Sequence, residues 1–248
     1  MMVIVGATTP LGLMVARKLN EQNFNYLVLG DKNVRRKELA DQSSVRYWHW
    51  VNYSQLNNWI GEQADEVEFI IWCDSIYSIT NQQLFSRLWQ IAQQSQIPFI
   101  ALIDQESYFY RLTKEIPPPF FWTVLVVRGY FAEVKQGDRT SENYLLSDIK
   151  LYHLNTELKA DLDQTKLLPV TFTSDVVDLL FFQILSRKHS GIYHLPYQYI
   201  SYYPTSSGED NFQNQKTKDQ EKSWPVEAQD SIFKLKEIGY TQPFMSIR

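Results

Sequence analysis

Val3-Ile-Val-Gly-Ala-Thr-Thr-Pro-Leu-Gly12 (VIVGATTPLG) reads as a buried strand entering a tight turn and then a helix. The run Met2–Val5 is continuously apolar, as a strand covered on both faces requires. Beyond the turn, Leu11, Met14, Val15 and Leu19 recur at helical spacing and predict a helix over residues 11–19. A Gly-x-x-Gly-x-x-Gly turn in this setting binds phosphate. Its first glycine permits the bend, its second lets backbone N–H groups close on a pyrophosphate, and its third lets helix pack on strand. Gly6 and Gly12 hold the first and third positions, and Thr9 holds the second. Because Thr9 precedes Pro10, it is biased toward extended backbone. The pair reads as a helix start, with Thr at the N-cap and Pro at N1. The helix dipole there still favours an anion, so Gly6, Thr8, Thr9, Pro10, Leu11 and Gly12 are the expected phosphate-side residues.

Working outward, residues 26–30 form a second strand ending at Asp31, which lies 25 residues after Gly6. A carboxylate at that place accepts hydrogen bonds from an adenosine ribose. Asp31 disfavours a 2′-phosphate, while Lys32, Arg35 and Arg36 offset the repulsion, so NAD and NADP both stay open. The plainer reading of the same residues is an N-capped helix on a sheet that binds no nucleotide. Further strands are predicted over residues 45–51, 67–72, 97–103 and 124–127, and a helix over residues 81–94 with Leu84, Leu88 and Ile91 on one face. Strands alternating with helices of this size predict an α/β, doubly wound parallel sheet. The alternation fades after residue 130. Ser174-Asp175 then caps a helix reaching Ser186, followed by a strand over residues 191–195. The expected division is a dinucleotide-binding domain over residues 1–130 and a small α/β substrate lobe over 131–248. The polar stretch 204–223 reads as a surface loop.

Composition narrows the function classes. The formal net charge of -4 argues against a nucleic-acid surface, which needs a basic excess. The run Arg35-Arg36-Lys37 reads as a solvated face. The apolar runs around residues 120–127 and 176–185 are too short to span a bilayer, and nothing at the start resembles a signal peptide. With Cys73 as its one cysteine, the chain suits a reducing compartment, and a cytoplasmic location is expected. The thiol reads as buried, not nucleophilic. His49, His153, His189 and His194 show no metal-ligand spacing with one another or with Cys73, so no metal is expected. Only 9 glycines occur among 248 residues, leaving few places for close backbone approach to a ligand.

The order of strand, turn, helix and Asp31 resembles the extended short-chain dehydrogenase/reductase family, which includes nucleotide-sugar epimerases. In the second half, His153-Leu-Asn-Thr-Glu-Leu158, Phe172-Thr-Ser-Asp-Val-Val-Asp178, Ser190-Gly-Ile-Tyr-His-Leu195 and Leu235-Lys-Glu-Ile-Gly-Tyr-Thr-Gln-Pro-Phe244 resemble the ADP-glycero-manno-heptose 6-epimerases, as does Ile97-Pro-Phe-Ile100. The resemblance implies a Rossmann-type domain, NAD or NADP as cofactor, a nucleotide-sugar ligand and assembly into homo- or hetero-oligomers. It places Lys32 and Cys73 beside Asp31 and the turn as cofactor-lining residues.

The same resemblance implies a Tyr and a Lys one helical turn apart that move a proton while hydride passes to or from the nicotinamide, and a Ser or Thr at the end of the fifth strand. Here the hydroxyl position falls on Asp104. The one Tyr-x-x-x-Lys match in this region is Tyr110 and Lys114, in a segment stopped by Pro117-Pro-Pro119; Tyr144 has no matching lysine. Leu168-Pro169 stands where the family has an Arg-Asp pair that helps bind substrate phosphate, and Trp72-Cys73-Asp74-Ser75 replaces small residues facing the cofactor. These departures imply a nucleotide-binding relative that is non-catalytic or strongly impaired, serving a regulatory, structural or accessory role. One alternative is an active epimerase or reductase using Tyr110 and Lys114. Another is an interaction protein with an empty groove.

Overall fold

The computed structural model describes residues 1–32, 45–103, 106–127, 130–133, 149–153, 156–157, 166–171, 173–187, 189–203, 211–213 and 226–241. Arg35-Arg36-Lys37, Asp104, Tyr144 and most of the stretch 204–223 lie outside the described residues. Strand and helix alternate through β1 (Met2–Val5), α1 (Pro10–Glu21), β2 (Leu27–Asp31), β3 (His49–Asn52), α2 (Tyr53–Glu62), β4 (Phe69–Trp72), α3 (Ile79–Gln94), β5 (Phe99–Ile103), α4 (Glu106–Glu115) and β6 (Trp122–Val126). There follow β7 (Tyr130–Glu133), β8 (Ile149–His153), β9 (Thr156–Glu157), β10 (Lys166–Val170), α5 (Thr173–Ser186), β11 (Gly191–His194), β12 (Gln198–Tyr203), β13 (Asn211–Gln213) and α6 (Val226–Glu237).

The chain forms two units, and the first comprises Met1–Val126 with Val177–Tyr193. Its seven-stranded sheet has the order β11-β6-β5-β4-β1-β2-β3. Strand β1 pairs in parallel with β2 and with β4, setting Val5 opposite both Gly30 and Trp72. The pairs β2–β3, β4–β5 and β5–β6 are parallel too. This is the doubly wound, Rossmann-type sheet expected from the alternation. Chain order reverses between β1 and β4, and the crevice beyond their carboxyl ends is where such sheets bind ligands.

Local chemistry explains the elements. Thr9, Asn52 and Ser78 each hold extended backbone, and their side chains accept from Gly12, Ser54 and Asn81 N–H groups to start α1, α2 and α3. Strand residues alternate between faces. Val3, Val5, Val28, Ile70, Trp72, Phe99 and Ala101 share one core with Tyr53, Leu56 and Ile60 of α2 and with Phe85, Leu88 and Trp89 of α3. Ile4, Leu27 and Leu29 are buried outside that cluster. Aromatic rings pack against one another in this core. Trp89 meets Phe99 and Phe109 edge-on, each with ring centroids 5.2 Å apart.

The second unit comprises Val127–Val176 with His194–Arg248. It holds two three-stranded sheets, β7-β8-β9 and β10-β12-β13, whose pairs are antiparallel. In α6, Ala228, Ser231, Ile232 and Leu235 are buried. The Ser231 hydroxyl accepts from the His194 N–H at 2.8 Å and donates to the Glu227 carbonyl, also at 2.8 Å.

Candidate functional site

The turn after β1 has the backbone shape that its glycines predict. Gly6 adopts φ +79°, and a Cβ there would stand 2.8 Å from the Asp74 Cβ and 2.9 Å from its nitrogen. A Cβ on Gly12 would fall on the Gly6 carbonyl oxygen. Thr9 occupies the middle glycine position by turning its hydroxyl inward. That hydroxyl donates to the Gly6 carbonyl at 2.6 Å, lies 3.2 Å from the Cys73 carbonyl and accepts from the Gly12 N–H at 3.0 Å. The threonine therefore fastens the turn to itself and to the end of β4.

The turn's amides are largely committed. Gly6 and Ala7 donate to the Gly30 carbonyl, Thr9 donates to the Gly6 carbonyl, and Leu13 donates to the Thr9 carbonyl. Asp31, 7% exposed at the end of β2, accepts the Thr8 N–H at 2.7 Å and the Thr8 hydroxyl on Oδ2. Its Oδ1 accepts the Lys32 N–H at 2.6 Å, which leaves that oxygen one further lone pair. Pro10 has no N–H, so over residues 6–13 only the Leu11 N–H lacks an acceptor among the described residues. The frame fits the nucleoside end of a dinucleotide, with left-handed Gly6, close-packed Gly12 and Asp31 in place. It offers few donors to the phosphates.

A second carboxylate, Asp74, reaches the turn; the sequence offered it only as part of Trp72-Cys73-Asp74-Ser75. Trp72 and Cys73 are wholly buried, and it is Asp74 that packs against Gly6. Its Oδ2 accepts from the Tyr53 hydroxyl at 2.9 Å and from Asn81 Nδ2 at 3.1 Å, and Oδ1 accepts the Ser75 N–H at 2.7 Å. Lys32 Nζ stands 3.4 Å from the same Oδ2 and 5.8 Å from the centroid of the Tyr53 ring. The Trp72 indole N–H donates to the Asp74 carbonyl. Burial, then the charges of Asp74 and Asp31, push the Tyr53 phenol well above its ordinary pKa, so it remains a donor. Burial and then Asp74 push the Cys73 thiol up in the same way, which keeps it from acting as a thiolate. The signals for this cluster were the acid just past a buried strand and the polar Asn81 within the first turn of α3.

Tyr110 and Lys114 lie one turn apart on α4, between β5 and β6, and both side chains are exposed, Tyr110 by 50%. The helix ends at Glu115, just before the prolines. Its buried face carries Tyr108, Phe109 and Leu112, and the Tyr108 hydroxyl lies 2.7 Å from both the Gln82 carbonyl and the Ser86 hydroxyl. Leu168 and Pro169 lie in β10, opposite Ile200 and Tyr199 of β12. Among the described residues, no three His, Cys, Asp or Glu side chains gather to hold a metal ion, and no helix is long and apolar enough to cross a membrane.

No protein-family model matches the chain. No curated protein matches it either. Solved structures do. L-threonine dehydrogenase from Clostridium difficile superposes with a TM-score of 0.53 at 11% identity, over 81% of this chain and 76% of that one. The Bordetella bronchiseptica enzyme WbmG, in complex with NAD and UDP, gives 0.53 at 9% identity over 99% of this chain and 81% of its own. UDP-glucuronic acid 4-epimerase from Bacillus cereus, in complex with NAD, gives 0.53 at 11% identity over 81% and 79%. The chain shares with these structures a Rossmann-type fold.

Proposed function

We propose that this protein is a divergent nucleotide-sugar epimerase-like protein, nearest in its motifs to ADP-glycero-manno-heptose 6-epimerase. In this reading it binds NAD(P) or a nucleotide-sugar at the carboxyl ends of β1, β2 and β4 without ordinary turnover. The observation that carries the reading is the turn itself: left-handed Gly6, close-packed Gly12 and the Asp31 carboxylate converge where the strand order reverses. The NAD seen in two of the structural neighbours supports the choice of ligand. Loss of catalysis is supported by Asp104 at the hydroxyl position, by Leu168-Pro169 in place of an Arg-Asp pair, and by a Tyr110 that points half into solvent. In this reading the protein serves a regulatory, structural or accessory role in an oligomer, and its single cysteine suits a cytoplasmic setting.

A second reading has one observation in its favour. Tyr110 and Lys114 sit on the helix between β5 and β6, exposed and one turn apart, as a rebuilt proton-transfer pair would need. Two measurements separate the readings. Mass spectrometry and absorbance of the purified protein are expected to reveal bound nucleotide. Assays with nucleotide-sugars and NAD(P) are expected to give no turnover that Tyr110→Phe reduces. Turnover that falls about 100-fold or more in Tyr110→Phe would establish the active enzyme instead. A protein that carries no nucleotide and gains no thermal stability from NAD, NADP or ADP would leave the groove empty and the chain an interaction protein.

A further inference from the structure

We propose that Asp74 sets how this crevice treats the phosphates of its ligand, so that the nucleoside carries binding and a diphosphate adds little. The inference rests on the reading that the crevice binds a nucleotide, and it names the part of the nucleotide that is recognised. Three observations lead to it.

The first is charge. Asp74 packs its Cβ against Gly6, so with Asp31 there are two carboxylates at the turn. Among the described residues, Lys32 brings an ammonium beside them, and at 3.4 Å it is already paired with Asp74. Phosphates entering here meet an excess of like charge and a cation that must first leave its partner. The second is donor supply. Phosphate recognition at a helix N-terminus relies on free backbone N–H groups, and those of Thr8, Thr9 and Gly12 are bonded within the protein. The third is acceptor supply. Asp31 Oδ1 and Asp74 Oδ1 each accept one N–H and keep a further lone pair, while over residues 6–13 only the Leu11 N–H is free among the described residues. The turn therefore offers more acceptors than donors. A nucleoside suits it, because ribose hydroxyls and an exocyclic amine bring donors. A phosphate chain brings only acceptors and negative charge.

Calorimetric titration of adenosine, ADP and NAD into the wild type, Asp74→Asn and Lys32→Met tests the inference. The wild type should bind ADP within about threefold of adenosine. In Asp74→Asn, which keeps the shape and frees Lys32, ADP should tighten by about tenfold or more while adenosine stays put. In Lys32→Met, ADP should weaken and adenosine again stay put. Lys32 is 47% exposed at its side chain, so this variant decides the matter if Asp74→Asn fails to fold. Two results would overturn the inference alone: a wild type that prefers ADP to adenosine by about tenfold or more, or variants that keep the wild-type ratio. If none of the three ligands binds the wild type or a folded variant, the nucleotide reading falls and takes this inference with it.

Discussion

At the scale of single residues, glycine and its replacement decide the turn. Gly6 is needed twice over, for its φ of +79° and because a Cβ would stand 2.8 Å from the Asp74 Cβ. Thr9 is tolerated at the middle position because its hydroxyl replaces what a bare backbone would have offered a ligand, bonding Gly6 and Gly12 instead. Gly61, within α2, is different: a Cβ there meets nothing within 4 Å. Chemical denaturation should therefore separate two identical substitutions. Gly6→Ala is expected to cost about 2–4 kcal/mol through backbone strain and the displaced end of β4. Gly61→Ala is expected to stabilise by about 0.5 kcal/mol through helix propensity and a less flexible unfolded chain. Equal effects from the two would show that the turn is not held as described.

At the scale of elements, β4 shows how one strand serves both core and site. Trp72 is fully buried, and its indole N–H donates to the Asp74 carbonyl just past the strand. Trp89 of α3 is equally buried, but its Nε1 has no acceptor. Replacing either with Phe removes a similar volume, so the hydrogen-bonding difference should decide the outcome. Trp89→Phe loses packing but relieves an unpaired N–H, and its cost should stay within about 1 kcal/mol. Trp72→Phe loses a made bond and leaves a carbonyl unpaired, and should cost about 1–2 kcal/mol more. Urea midpoints of the two variants check this, and identical midpoints would contradict it. The inner strands β1, β4 and β5 were legible because each is a short, unbroken apolar run. Helix α2 was not, although Asn52 caps it and Tyr53, Leu56 and Ile60 mark its buried face at helical spacing. The signal was masked because the helix begins directly after β3, an edge strand whose His49 and Trp50 carry no clear alternation.

At the scale of the whole molecule, sheet order creates the candidate site. Residues 6, 31, 53, 74 and 81 come from five separate places in the chain and meet because β2, β1 and β4 are neighbours in parallel register. The turn and Asp31 were readable from sequence, since each belongs to a local motif with fixed spacing. The Tyr53–Asp74–Asn81 cluster was not, because no spacing rule links those positions. Only the pairing of Val5 with Trp72 carries Asp74 to Gly6. That same geometry leaves the Tyr110–Lys114 pair exposed on α4, apart from any hydrogen bond with this cluster. The proposed function requires a nucleotide at the carboxyl ends of β1 and β2. Amide hydrogen exchange with and without saturating NAD tests it most directly. Bound nucleotide should slow exchange in peptides covering residues 6–13 and 27–32 and leave α4 unchanged. Exchange that is unaltered throughout those peptides, or protection confined to other parts of the chain, would contradict it.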